Sequence, residues 1–116
     1  MRVTTLSAVV SSYGRPEDLE ICLRSLRVQR SRAGGPRVHV DLHVTDNSFE
    51  ARMNELTRRS CLIHEAVYHP TRTSGCYTAA NMVAPQIGTD FVCFPSDDGW
   101  YAPEFAAGYV PWFATG

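Results

Sequence analysis

The chain has 116 residues, of which 44% are hydrophobic and 20% charged, with a formal net charge of -1. That is enough for one domain with its own core, and the balanced charge supplies neither the basic field of a nucleic-acid binder nor a polybasic membrane anchor. All 11 Lys+Arg residues are arginine, which excludes a Schiff-base lysine, a Walker A phosphate loop and a lysine general base.

Val3 to Ser12 is rich in β-branched residues and nearly uncharged, the pattern of a strand buried on both faces of a parallel sheet. Tyr13-Gly-Arg-Pro16 breaks it. Pro16, Glu17 and Asp18 suit a first helical turn, and Leu19, Cys22, Leu23 and Leu26 then fall at i, i+3, i+4 and i+7, a single apolar stripe. Residues 31–36 read as a loop. Val38, Val40, Leu42 and Val44 alternate with His39, Asp41 and His43, which predicts an amphipathic strand. His39 and His43 are ~13 Å apart on it, too far to share a metal, and read as surface histidines.

Thr45-Asp46-Asn47-Ser48 ends that strand. A helix is expected from about Glu50 to Arg59 and a strand from Leu62 to Tyr68. A loop follows over His69 to Gly75, then a helix from Tyr77 to Ala84 closed by Pro85 and Gly88. Phe91 to Phe94 is the fourth strand. The order β-α-β-α-β-α-β predicts an α/β domain, a mainly parallel sheet with helices on both faces.

The four cysteines, Cys22, Cys61, Cys76 and Cys93, contain no Cys-x-x-Cys pair, so neither a zinc ribbon nor a dithiol redox site is written, and core thiols of a reducing compartment, the cytoplasm, are expected. The start is too short in apolar residues for a signal peptide, and no run approaches the ~18 apolar residues of a membrane span.

The loops after parallel strands gather at one edge of the sheet, where such folds bind ligands. Residues 11–15, 46–48, 69–75 and 96–100 therefore become neighbours. Asp97 and Asp98, delivered by the fourth strand, are candidate metal or phosphate groups, although Asp-Asp-Gly is also turn chemistry and Asp98 a possible helix cap. Tyr13 is placed to stack on a planar base or to sit half in the core. Asp46 is placed to accept a base N-H or to form an Asx turn.

Four stretches carry a resemblance: Ser-Ala-Val-Val-Ser-Ser-Tyr13-Gly-Arg-Pro, Val-Thr-Asp46-Asn-Ser, Gly75-Cys-Tyr-Thr-Ala79-Ala-Asn81, and Phe-Pro-Ser-Asp97-Asp98-Gly-Trp-Tyr-Ala-Pro. In this order they resemble family 2 glycosyltransferases of the GT-A fold, over nearly the whole chain. The resemblance implies a Rossmann-like donor-binding half, with Ser11, Tyr13, Asp46 and Asp97 at the nucleotide. It places Asp98, with Asp97, at a Mn²⁺ or Mg²⁺ ion. It further implies a nucleotide-sugar donor, a UDP-sugar foremost, and inverting transfer to an acceptor.

Two departures stand out. Ala80 occupies a position where the family usually has arginine, leaving Arg72 as a possible source of nearby positive charge. No general base is present, so residues 1–116 are expected to be a single donor domain cut short before the acceptor half; a fragment that binds nucleotide without transfer is the alternative. The apolar tail with Tyr109, Val110, Trp112 and Phe113 is expected to favour self-association.

Overall fold

The computed structural model describes residues 3–29, 37–73 and 75–107, so the 31–36 loop and the apolar tail lie outside the described residues. In chain order the elements are β1 (Val3–Ser12), α1 (Pro16–Arg27), β2 (Arg37–Asp46), α2 (Ala51–Ile63), β3 (Val67–His69), α3 (Cys76–Val83), a 3-10 turn (Ala84–Gln86) and β4 (Phe91–Cys93). The sheet order is β3-β2-β1-β4 and every pairing is parallel. β1 and β2 run in register from Val3 opposite Arg37 to Ser12 opposite Asp46. Both central strands therefore end at the same level, which sets the floor of the sheet's carboxyl edge.

One face of the sheet presents Leu6, Ala8, Val10, Leu42, Val44 and Cys93, all at or below 5% exposure. Against it lie the α1 stripe and Cys61 of α2. The stripe residues Leu19, Cys22, Leu23 and Leu26 are each at most 1% exposed, and each leucine contributes roughly 1.5–3 kcal/mol by leaving water. On the opposite face α3 packs on β1, with Val9, Ala79 and Val83 buried. Helices thus cover both faces. Among the described residues no helix is long and apolar enough to cross a membrane.

Three cysteines, Cys22, Cys61 and Cys93, are free and buried, as expected; the side chain of Cys76 lies outside what is described. Burial pushes the thiols of Cys22 and Cys61 up to about 12 and that of Cys93 up to about 11. At neutral pH all three are protonated, hydrophobic fillers with no nucleophilic character.

The expected strand from Leu62 to Tyr68 is wrong at its start. α2 continues through Ile63, and β3 holds only Val67–His69. Short apolar runs do not distinguish helix from strand, and here Leu62 and Ile63 complete the last helical turn with 73% and 63% of their surface exposed. The stop is a Schellman closure. Glu65 adopts a left-handed backbone, φ 56°, and the Ala66 N-H returns to the Cys61 carbonyl at 2.8 Å. The fourth strand ends at Cys93 rather than Phe94, and the third helix starts at Cys76 and yields to the 3-10 turn at Ala84.

The two histidines of β2 behave differently. His39 is exposed and contacts Asp41 at 3.0 Å. His43 is half-buried, and its Nδ1 meets Nε2 of His69 on β3 at 3.0 Å. Only one proton can sit between those nitrogens, and burial holds both imidazoles below their ordinary 6.5, Asp41 opposing the shift at His43 and His43 adding to it at His69.

Two measurements follow. Glycine carries no Cβ penalty at a left-handed position, so Glu65→Gly should raise stability by about 1 kcal/mol even though it removes the exposed ion pair with Arg27 at 3.1 Å; a lower urea midpoint would refute this. Because the histidine pKa values are lowered on folding, the pair's stabilising contribution is complete above about 6.5 and is lost as pH falls through the folded values. The urea midpoint should therefore fall between about pH 7.5 and 5.5, and His69→Gln should reduce that difference; an undiminished difference in this variant would refute the assignment.

Candidate functional site

The carboxyl edge of the sheet carries two polar assemblies, one at each side. The first is built on Asp46, whose side chain has 0% exposure. Its Oδ1 accepts the Ser48 N-H at 3.1 Å, an Asx turn, and its Oδ2 accepts from Asn54 Nδ2 at 2.9 Å and from the Tyr68 hydroxyl at 2.6 Å. The Asx-turn role is therefore real, and the carboxylate lies behind Asn54 and Tyr68. Burial, followed by this contact with Asp46, pushes the Tyr68 hydroxyl pKa upward, so it remains a donor.

The backbone joins the same hub. The Asn47 N-H donates to the Ser12 carbonyl at 2.9 Å, tying β2 to β1 at the floor of the edge. The Arg72 N-H donates to the Asp46 carbonyl at 2.9 Å, and the Thr71 hydroxyl reaches the same oxygen at 3.2 Å and also Asn47 Oδ1. Arg72 is held with φ 47°, a left-handed conformation that costs on the order of 1–3 kcal/mol and persists because its surroundings enforce it. The sequence left its position open. These bonds place its side chain on the wall of an open groove of about 480 Å³ lined by Phe49, Asn54, Arg58, Tyr68 and Pro70 among others.

The second assembly follows β4. Ser96 bridges to Ser11 of β1, and the Gly99 N-H returns to the Ser96 carbonyl at 3.2 Å, closing a turn over Asp97 and Asp98. Asp98 caps no helix; its Oδ1 accepts from the Ser96 hydroxyl. The Tyr101 hydroxyl braces the turn, accepting the Ser96 N-H at 2.7 Å. Gly99 permits this approach, since a Cβ there would lie 2.7 Å from that hydroxyl. The following segment is fastened to α1 and the residues just after it: the Tyr101 N-H donates to Ser25 Oγ at 3.0 Å and the Ala106 N-H to Gln29 Oε1 at 2.7 Å.

Arg15 stands between the acids, its Nη1 3.7 Å from Asp97 and 3.6 Å from Asp98. The two carboxyls are tuned in opposite directions. Burial raises the pKa of Asp97 against the pull of Arg15, with Asp98 and Asp18 raising it further, whereas the Ser96 hydroxyl chiefly lowers that of the exposed Asp98. Tyr13 is 61% exposed at the end of β1, so it is not a half-core aromatic. Ser11 Oγ contacts Thr45 Oγ1 at 2.7 Å.

Ser11, Tyr13, Asp97 and Asp98 are thus gathered around the ends of β1 and β4, while Asp46 sits between β1 and β3. β3 and β4 are three strand spacings apart, ~14 Å at ~4.8 Å each. Arg15, Tyr101, Asn54, Tyr68 and Phe49 were not singled out by the sequence. Arg15 had a signal, a cation in the first edge loop; the others are visible only once α2, β3 and the 96–101 turn are folded together.

No protein-family profile and no curated protein sequence matches the chain. Solved structures do. S. aureus TarS matches over 97% of this chain with TM-score 0.71 and 16% identity. Its 1–349 portion gives 0.72 and 16%, and the same portion in complex with UDP-GlcNAc gives 0.68 and 17%, again over 97% of this chain. This chain spans 20%, 33% and 32% of those chains respectively. At such identities what is shared is the fold: a four-stranded parallel α/β sheet of the kind the resemblance implied.

The hub yields a test. Tyr68→Phe removes one of three donors from a buried carboxylate and should cost about 1–3 kcal/mol by chemical denaturation. A loss below about 0.5 kcal/mol, within the range of an ordinary surface substitution, would show that Asp46 does not depend on this hydroxyl.

Proposed function

We propose that the chain is the donor-binding part of a GT-A-type glycosyltransferase, related to family 2, that binds a nucleotide sugar, a UDP-sugar foremost, with Mn²⁺ or Mg²⁺. The observation that carries this reading is the pairing of Asp97 with Asp98 on a braced turn at a strand end, beside Ser11, the exposed ring of Tyr13 and the guanidinium of Arg15. The shared fold with a protein that forms a complex with UDP-GlcNAc supports it.

The donor set fits a hard divalent cation. Two carboxylates are what Mg²⁺ commonly takes from a protein, the rest of its shell being phosphate oxygen and water. Among the described residues no group of three or more His, Cys, Asp or Glu forms an all-protein cage. Bound there, the cation supplies charge neutralisation to the leaving diphosphate. Asp97, whose ionised form is disfavoured by burial and by its acidic neighbours, gains most from a nearby cation. In this reading Tyr13 stacks on the base and Arg15, freed from the acids, turns to the diphosphate. Transfer breaks the anomeric C-O bond to the diphosphate and forms one to an acceptor hydroxyl with inversion, the hydroxyl proton passing to a base not assigned in this chain. The alternative is a domain that binds donor without transferring sugar.

Calorimetry with UDP and Mn²⁺ tests the reading. Chelation, or Asp98→Ala with the fold intact, should weaken binding at least about tenfold, the loss of a 1.4 kcal/mol interaction. Affinity indifferent to both would remove the metal assignment. Release of radiolabelled sugar to an added acceptor would favour the transferase over the binding-only alternative.

A further inference from the structure

The side chains of His43 and His69 belong to neither polar assembly of the carboxyl edge. His43 lies between Leu42 and Val44, which join the core under α1, so its ring takes the opposite face of the sheet. His69 is the partner of Thr45 in the β2-β3 register and takes that same face. α3 covers this face chiefly over β1. Towards β3 both imidazoles are left half-buried, with part of each ring in contact with solvent.

His43 Nδ1 and His69 Nε2 face each other head-on at 3.0 Å, with ring centroids 5.3 Å apart and planes 21° from parallel. Imidazole nitrogen is a preferred ligand of Zn²⁺ at ~2.0–2.1 Å, and two nitrogens on one ion at that length stand ~2.9 Å apart at a right angle and ~3.3 Å apart at the tetrahedral angle. The observed 3.0 Å lies between the two. Burial foremost keeps both rings neutral at neutral pH, the form that ligates a metal. No proton has to be expelled for an ion to enter: the ring that donates in the pair moves its proton from the facing nitrogen to its outer one.

We infer that His43 Nδ1 and His69 Nε2 form an exchangeable two-imidazole site for a borderline divalent transition metal, Zn²⁺ foremost, that ties the edge strand β3 to β2. Each ring tilts towards solvent to converge on the ion, while the strands stay in place. Among the described residues no group of three or more His, Cys, Asp or Glu is placed to hold a metal, so water fills the remaining positions. Two protein ligands fall short of the sets that close a structural zinc site or build a catalytic one, and the ion therefore binds reversibly. Asp41, two residues before His43 on the same face, adds an attractive field. The chemistry differs from that of the acidic turn, since imidazole suits Zn²⁺, Ni²⁺ and Cu²⁺ whereas carboxylate suits Mg²⁺ and Mn²⁺. What the ion holds is a strand of 3 residues whose following loop supplies the Thr71 and Arg72 contacts to the Asp46 carbonyl. The site stands whether or not the chain binds a nucleotide.

The test is calorimetric titration of the whole 116-residue chain with Zn²⁺ at neutral pH, in excess Mg²⁺ so that the carboxylates of the acidic turn are taken by a hard cation. Expected is one ion per chain and a urea midpoint that rises with Zn²⁺. His43→Gln and His69→Gln should each lower the affinity at least about tenfold, since disturbing even an outer-shell partner of a metal ligand costs about 10–100-fold. A second readout uses the unaltered chain and so does not depend on how the variants fold: long-range ¹H-¹⁵N spectra should show Zn²⁺ shifting His43 Nδ1 and His69 Nε2, with the proton of each ring on its other nitrogen. Absence of Zn²⁺ binding overturns the site. So does affinity that is unchanged in either variant, affinity that falls in proportion to Mg²⁺, or shifts confined to the nitrogens of His39 or His64.

Discussion

One buried carboxylate organises the carboxyl edge of the sheet in this domain. Removing Asp46 from water is costly, and the cost is offset only because three donors from three places converge on it: the Ser48 backbone, the Asn54 amide and the Tyr68 hydroxyl. Each donor belongs to a different piece of structure. Satisfying one side chain therefore fixes the entry of α2, the edge strand β3 and the turn between β2 and α2 relative to one another. The main chain of the same residue fixes the next loop, since its carbonyl accepts the Arg72 N-H and contacts Thr71.

The acidic turn at the other side is built by an independent set of bonds. Its brace is Tyr101, its clearance is Gly99, and its anchors are Ser25 of α1 and Gln29 just beyond it. The two assemblies thus stand at opposite sides of the sheet's carboxyl edge, linked through the β1-β2 register, the Ser11-Thr45 hydroxyl contact and the Asn47 N-H to the Ser12 carbonyl. Such a division suits a ligand with two chemically different ends. It also means that damage to one end need not propagate to the other.

The absence of lysine shapes the electrostatics of both assemblies. Every fixed cation is a guanidinium, planar and permanently charged, so pH acts through the carboxyls and imidazoles alone. Arg15 stands between Asp97 and Asp98 at 3.6–3.7 Å, where it limits the repulsion of two adjacent acids without closing around either. Arg72 is placed by its own strained backbone. No motif predicts that, because it depends on where the Asp46 carbonyl lies.

Much of this was legible along the chain. The apolar stripe of α1, the uninterrupted β1 and the alternating β2 are local periodicities, and each folded as its pattern dictates because burial acts on every repeat of the pattern separately. The parallel topology followed from the alternation of strands and helices, and with it the edge on which Ser11, Tyr13, Asp97 and Asp98 meet. Where periodicity is too short to discriminate, as at Leu62-Ile63, the boundary was decided by the Schellman closure at Glu65 and by what the sheet left uncovered. Likewise only the tertiary structure decided that His43 meets His69, that Asp46 faces inward and that Asn54 is left with one acceptor, for these depend on pairs 8 to 26 residues apart. A sequence specifies which groups exist and which face of an element they share; which hydrogen bonds remain unspent is settled only when all the elements have closed around them.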